Sequence, residues 1–288
     1  MSIHSYHLVN VFTRGDDVFS GNPLCVFEDG EALDEMRMQA LARQFNLSET
    51  TFILPSERAS ARVRIFTPGY EMPFAGHPTL GTAHICRTLG LGGDSLTLEM
   101  QAGVIPVEAR NRCWTLRANA PSWREVEETR GTLAAALGLA AEDIGERPLW
   151  VNAGREQLVI PLASEAAVRR AQPQPQGLAR LASRDGASMA YVFALSGAVA
   201  GDDAATPVLA RFFFPQGPAV LEDPATGSAT ANLGGWCLAT GRGVPCRFEI
   251  SQGEQVSRPS TLYLEVDSER RIFVGGEVIE LGHGTVVL

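Results

Sequence analysis

Short apolar runs rich in Val, Ile, Phe and Tyr recur along the chain, separated by Gly, Pro, Asn and Asp. That alternation predicts strands divided by turns. In the first half the strands fall at 7–13, 51–54, 63–66, 105–108 and 114–118; in the second at 157–161, 190–195, 211–214, 261–266 and 272–274. Helical spacing of Leu33, Met36, Ala40 and Leu41, and an Ala- and Leu-rich run over 131–139, predict two amphipathic helices in the remaining gaps. Polar, proline-containing residues 120–130 are expected to cross from one half to the other.

Two further helices break the pattern because they carry almost no charge. Between Thr79 and Leu89 the one charged side chain is Arg87, and between Ser228 and Thr240 there is none. A helix apolar nearly all round is a buried one. The two also repeat one another. Arg64-Ile65-Phe66-Thr67-Pro68 leads to Gly76-His77-Pro78, and Arg211-Phe212-Phe213-Phe214-Pro215 leads to Gly227-Ser228-Ala229. Gly76 to Gly90 and Gly227 to Gly241 are both fourteen residues, Cys86 and Cys237 both lie ten past the opening glycine, and each closing glycine precedes a strand-like segment reaching Gln and Gly. Agreement at this many offsets predicts a duplicated unit with a period of about 150 residues. The expected architecture is α+β, in two halves that face one another across a cleft. The first half is 1–119, joined by a C-terminal strand over 277–288, and the second is 120–276.

Composition narrows the partners. The 288 residues carry a formal charge of -9, which disfavours nucleic acid and anionic membrane but leaves a small acidic substrate open. No basic, apolar leader is visible, and the longest uncharged apolar stretch, 189–201, is too short and glycine-rich to span a bilayer. A cytoplasmic location is the expectation. Five cysteines, none in C-x-x-C spacing, read as reduced thiols and not as a zinc or disulfide framework.

Candidate chemistry gathers at the starts of the two apolar helices. The first backbone N–H groups of a helix lack internal partners, and the dipole is positive there. Two such starts, opened by Gly76 and Gly227, make an anion site that needs no lysine or arginine. Pro78 fits the first helical position if His77 is the cap, and Ser228 or Gly227 fits as the cap of the other helix. Glu49 and Asp223 stand nearby in sequence order. On local sequence alone Glu49 reads as a solvated loop carboxylate and Asp223 as a turn or cap residue. His84 reads as packed in its helix, and His4, His7 and His283 as strand or surface residues, with no metal-ligand spacing.

Several runs carry a resemblance. They are Gly21-Asn22-Pro23-Leu24, Asn46-Leu47-Ser48-Glu49-Thr50-Thr51-Phe52, Phe66-Thr67-Pro68, Pro73-Phe74-Ala75-Gly76-His77-Pro78-Thr79-Leu80-Gly81-Thr82-Ala83, Glu222-Asp223-Pro224-Ala225-Thr226-Gly227-Ser228-Ala229, and Gln252-Gly253 with Arg258-Pro259-Ser260. Together, and in this order, the chain resembles the phenazine-biosynthesis PhzF-like family. The resemblance implies the fold of diaminopimelate epimerase and proline racemase: two pseudo-symmetric domains, each a mainly antiparallel sheet around a central buried helix, commonly assembled as a homodimer. It implies that Glu49 transfers the proton and that His77, Asp223 and Ser228 shape the site and bind or help protonate the substrate. Backbone groups of Gly76 and Gly227 would hold a carboxylate or developing negative charge.

Racemases and epimerases of this fold use a cysteine at each helix start, where this chain has His77 and Ser228. A two-thiol mechanism is therefore excluded at these positions, and one carboxylate moving a proton along one face of the substrate is the expectation. No nucleotide-binding glycine fingerprint, Schiff-base lysine context or metal spacing accompanies these residues, so the expectation is an isomerase of a small anionic metabolite without cofactor or metal. An epimerase, a hydroxy-acid lyase or a non-catalytic binder of small acids remain the alternatives.

Overall fold

In a computed structural model describing residues 1–196 and 205–288, the chain divides into two compact units, Met1–Arg117 with Gly275–Leu288, and Ala118–Val274. The tail of the apolar stretch 189–201 lies outside the described residues.

The first unit opens with β1 (Ile3–Val11) and β2 (Asn22–Phe27), paired antiparallel. Parallel strands need a crossover. Helix α1 (Glu35–Phe45) supplies it, capped at its start by the Asp34 side chain, and leads to β3 (Glu49–Leu54) beside β2. Then β4 (Ala61–Phe66) pairs antiparallel with β3 and with the short β5 (Glu71–Met72). Helix α2 (Gly76–Thr88) follows, then β6 (Ser95–Met100), parallel to β4, and β7 (Gly103–Arg110) and β8 (Cys113–Arg117) as an antiparallel meander.

Met38, Leu41 and Ala42 of α1 pack with Phe27, Phe52 and Phe66, and Phe27 stacks on Phe52 at 5.0 Å. Each large side chain buried this way contributes about 1.5–3 kcal/mol. Helix α2 is buried from His77 through Ala83, and its sole charged residue, Arg87, leaves the apolar interior near the end, over the Trp114 ring at 4.8 Å. Gly81 explains how closely helix and sheet approach: a Cβ there would stand 2.6 Å from Leu24 and 2.9 Å from Val11.

In the second unit, β9 (Ser122–Glu125) precedes α3 (Arg130–Leu137), β10 (Leu149–Asn152) and β11 (Glu156–Pro161). Helices α4 (Glu165–Arg170) and α5 (Pro175–Ala179) cross to β12 (Ala190–Leu195), parallel to β11. Then come β13 (Thr206–Gln216), β14 (Ala219–Asp223), α6 (Gly227–Thr240), β15 (Cys246–Gln252), β16 (Ser260–Val266) and β17 (Ile272–Val287). Pairings run β10–β11 antiparallel, β11–β12 parallel, β12–β13 and β13–β14 antiparallel, β13–β15 parallel and β15–β16 antiparallel. That succession reproduces the first unit strand for strand. Even an ion pair is repeated. Arg64 forks onto Glu71 at 2.6 and 2.7 Å and lies over Phe66; Arg211 forks onto Glu222 at 2.7 and 3.1 Å and lies over Phe213.

Strand β17 begins in the second unit and continues in the first, where its later residues pair with β1. It runs the strand expected over 272–274 and the one expected over 277–288 together into a single element through Gly275 and Gly276. Residues 120–130 are not a plain crossover: Ser122–Glu125 pair with β10, and Arg124 covers the Trp150 ring at 4.7 Å while bonding Glu156. A polar strand of this kind hides from a hydrophobicity pattern. The apolar face of α1 is also turned from that expected, with Met36 exposed. Helices α4 and α5 were not expected, being too short to show a period. Among the described residues no helix is long and apolar enough to cross a membrane.

Candidate active site

Glu49 is positioned by the way α1 ends. Asn46 takes a left-handed conformation (φ 53°) and donates its N–H to the Ala42 carbonyl, closing the helix. Asparagine tolerates that region better than most residues. The chain then reverses and enters β3 at Glu49, opposite Leu24 of β2. Two residues on, the Thr51 hydroxyl meets that of Thr82 on α2 at 2.8 Å in the buried interior. This bond ties the strand of Glu49 to the helix of His77.

His77 lies within the first turn of α2 and does not cap it. The helix begins at Gly76 after Ala75, and no side chain caps it. Pro78 is thus third and not first in the helix, which proline still permits because N–H groups of the first turn have no partner inside the helix. The His77 Nε2 stands 3.3 Å from Glu49 Oε2, and both atoms are shut off from solvent. Glu49 as a whole keeps 15% of its side-chain surface, so its accessible part lies away from His77. Burial pushes the imidazole down to about 3, so the ring is neutral at physiological pH. The arrangement sets a carboxyl group against a neutral imidazole at a helix start that no side chain caps. A carboxyl group so placed can accept or deliver a proton.

In the second unit the cap is Thr226, and neither Gly227 nor Ser228, which open the helical turn. The Thr226 side chain does not cap the helix either, because its hydroxyl is committed elsewhere. It donates to Asp223 Oδ2 at 2.5 Å and accepts from Gln252 Nε2 at 3.0 Å. Gln252 also donates to the Asp223 carbonyl at 2.8 Å. The Asp223–Thr226 turn is therefore pinned from below by Gln252. Gly253 makes this possible: its φ is +82°, and a Cβ would stand 2.2 Å from the Arg258 carbonyl oxygen and 2.5 Å from that of Pro224. Ser228 accepts from Gln157 Nε2 at 3.0 Å, and Gln157 Oε1 accepts from Asn232 at 2.8 Å.

Glu49, His77 and Gly76 are thus brought together in the first unit, and Asp223, Gly227 and Ser228 occupy one turn and helix start in the second. Gln252, Gln157 and Thr226 were missed as positioning residues. A signal existed for Gln252, since Gln252-Gly253 recurs at the place of Gln101 and Gly103 in the repeat. A surface groove lined by Gly138, Asp143, Arg169 and Arg170 contains none of the candidate residues.

A family model described as phenazine biosynthesis-like protein matches residues 9–284. An uncharacterised isomerase of Pasteurella multocida is 39% identical over 98% of this chain and 93% of its own length. Trans-2,3-dihydro-3-hydroxyanthranilate isomerase of Pseudomonas aeruginosa is 34% identical over 92% of this chain and 91% of its own. The crystal structure of a PhzF-family phenazine biosynthesis protein from Bacillus anthracis superposes with a TM-score of 0.85 at 25% identity, covering 100% of both chains. At the level of fold alone, a hydroxyproline epimerase from Agrobacterium vitis is similar, with a TM-score of 0.64 at 15% identity over 99% of this chain and 93% of that one.

Proposed function

Since this chain belongs to the phenazine biosynthesis-like family and is an enzyme of isomerase type, we propose that it isomerises a small anionic metabolite by carboxylate-mediated proton transfer. Glu49 removes a proton from a carbon made acidic by a neighbouring carbonyl, carboxylate or conjugated system. The electron pair left behind spreads through that system, and the same carboxyl group returns the proton at another carbon. No electrons are gained or lost, and the step calls for no cofactor.

His77 holds the carboxylate. Gly76, Gly227 and Ser228 are assigned to the substrate's carboxylate or to the charge that develops, as fixed N–H donors stabilise such charge. Asp223 is assigned to binding or reprotonation. A cytosolic homodimer is part of this reading; light scattering measures the second half of it.

The observation that supports this most directly is the 3.3 Å contact between Glu49 and a neutral His77, with both facing atoms shielded from water. The name of the Pseudomonas aeruginosa relative supplies the first compound to try, trans-2,3-dihydro-3-hydroxyanthranilate, followed by other cyclic amino and hydroxy acids. In heavy water the product should carry deuterium, and Glu49→Gln should turn over about 10²–10⁴-fold more slowly while keeping its melting temperature. Undiminished turnover by that variant removes Glu49 from the mechanism. Loss of water or inversion at one carbon would identify a lyase or an epimerase, and ligand-induced stabilisation without exchange would identify a binder.

A further inference from the structure

The ladder of β2, β1 and β17 carries four ionisable side chains that the proposed reaction does not use. His7 of β1 lies opposite His283 of β17. Glu280 is three residues from His283, and in a regular strand an odd separation would send the two to opposite faces. The register shifts between Leu8 and Val9, so that Leu8 meets Gly282 and Val9 meets Glu280. Leu281 is therefore an extra residue, and this bulge turns Glu280 onto the face of His7 and His283. On the other side, Val26 faces His7 in β2, and Glu28 is two residues further on the same face.

The distances follow. His7 Nδ1 is 2.8 Å from Glu280 Oε1, and His283 Nδ1 is 3.4 Å from the same oxygen. One donor atom from each of the three lies within 4.8 Å of the others. Four ligands at zinc-to-nitrogen and zinc-to-oxygen lengths stand about 3.3 Å apart. Reaching that spacing takes only small movement, chiefly of His283, whose side chain is 76% exposed. His7 Nε2 is 2.7 Å from Glu28 Oε1. A carboxylate on the far nitrogen of a ligating histidine is a recurring device of metal sites: it fixes the tautomer that points a lone pair at the ion.

We propose that His7 Nδ1, Glu280 and His283 Nδ1 bind one divalent transition-metal ion of the zinc class, with Glu28 as the supporting carboxylate and solvent in the remaining position. Two imidazoles and a carboxylate suit zinc, nickel or cobalt better than calcium or magnesium. The ion joins the first strand of the chain to its last, so it acts as a staple on the C-terminal strand. This departs from the expectation that His7 and His283 are strand or surface residues with no metal-ligand spacing; their ligand set comes from opposite ends of the sequence, where no spacing motif announces it.

The test uses the full-length protein, stripped with chelator and dialysed, titrated with zinc chloride by calorimetry and with cobalt by visible absorption. Binding of one ion per chain at micromolar or lower concentration is expected, together with a rise in melting temperature. His283→Ala, at an exposed position, should weaken binding at least about tenfold and abolish the rise, and Glu28→Gln should weaken it by about 10–100-fold. Absence of uptake at about 100 μM, or uptake by His283→Ala equal to the parent, overturns the proposal. So does a sulfur-to-cobalt charge-transfer band, which would put the ion on cysteine thiolates instead.

Discussion

Protonating His77 in the folded protein means charging a ring that is only 8% exposed and whose Nε2 is shut off from solvent. Burial holds its pKa near 3, against an ordinary value of 6.5. The unfolded chain binds that proton more readily, so the stability His77 permits is fully present above pH 6.5 and is lost progressively as pH falls toward 3. Near pH 5 the loss is about 2 kcal/mol, from roughly 1.4 kcal/mol for each pH unit below 6.5. Glu49 faces His77 and is itself ionisable, so the comparison is best made in a Glu49→Gln background, with and without His77→Asn. Burial is the cause of the shift, so it persists when the carboxylate is gone. Urea unfolding of the two proteins near pH 8 and pH 5 gives four free energies, in which all other titrations cancel. The protein retaining His77 should lose about 2 kcal/mol more between the two pH values. Parallel losses would show that the ring is solvated or charged, and the neutral-imidazole account of the site would be wrong.

Two other outcomes follow from the same geometry. Gly253→Ala combines a left-handed backbone with a methyl group 2.2 Å from the Arg258 carbonyl oxygen, so it should destabilise the protein by about 2 kcal/mol or more and lower turnover by displacing the Asp223 turn; an unchanged urea midpoint would contradict this. Burial raises the thiols of Cys25 and Cys86, whereas the hydrogen bond with Cys237 lowers that of half-buried Cys246. Maleimide labelling of the native protein, read by mass spectrometry, should therefore modify Cys246 before either of the other two.

Much of the architecture was legible because burial leaves a compositional mark. Helices α2 and α6 could be recognised from their lack of charge, and both were placed to within a residue or two. What escaped was structure whose cause is not hydrophobicity. Strand β2, which contains Pro23, is absent from the expected strands although it is nearly all buried, since proline is disfavoured inside a sheet. Strand β14 is a five-residue hairpin partner, too short to show a period, held by the Arg211–Glu222 fork. Side-chain type alone puts both caps one or two residues too far along, because at neither helix start does a side chain cap the helix. At the proposed site, Glu49, His77 and Asp223 stand out in the sequence through the family resemblance, not through their local patterns. The sequence was silent on Thr226, Gln157 and Thr51, whose part is to hold other groups through contacts between distant segments.

The closing strand has a consequence for biosynthesis. Ser2 and Leu288 exchange backbone hydrogen bonds at 2.8 and 3.0 Å, and the unit that holds Glu49 needs residues 275–288 to fill its place beside β1. The second unit is continuous in sequence, from Ala118 to Val274, and all of it is translated before those residues exist. The half made first is thus the half finished last. During synthesis the nascent β1 presents an open edge for the time needed to make more than half of the chain, an interval in which a chaperone or another nascent copy has access to it.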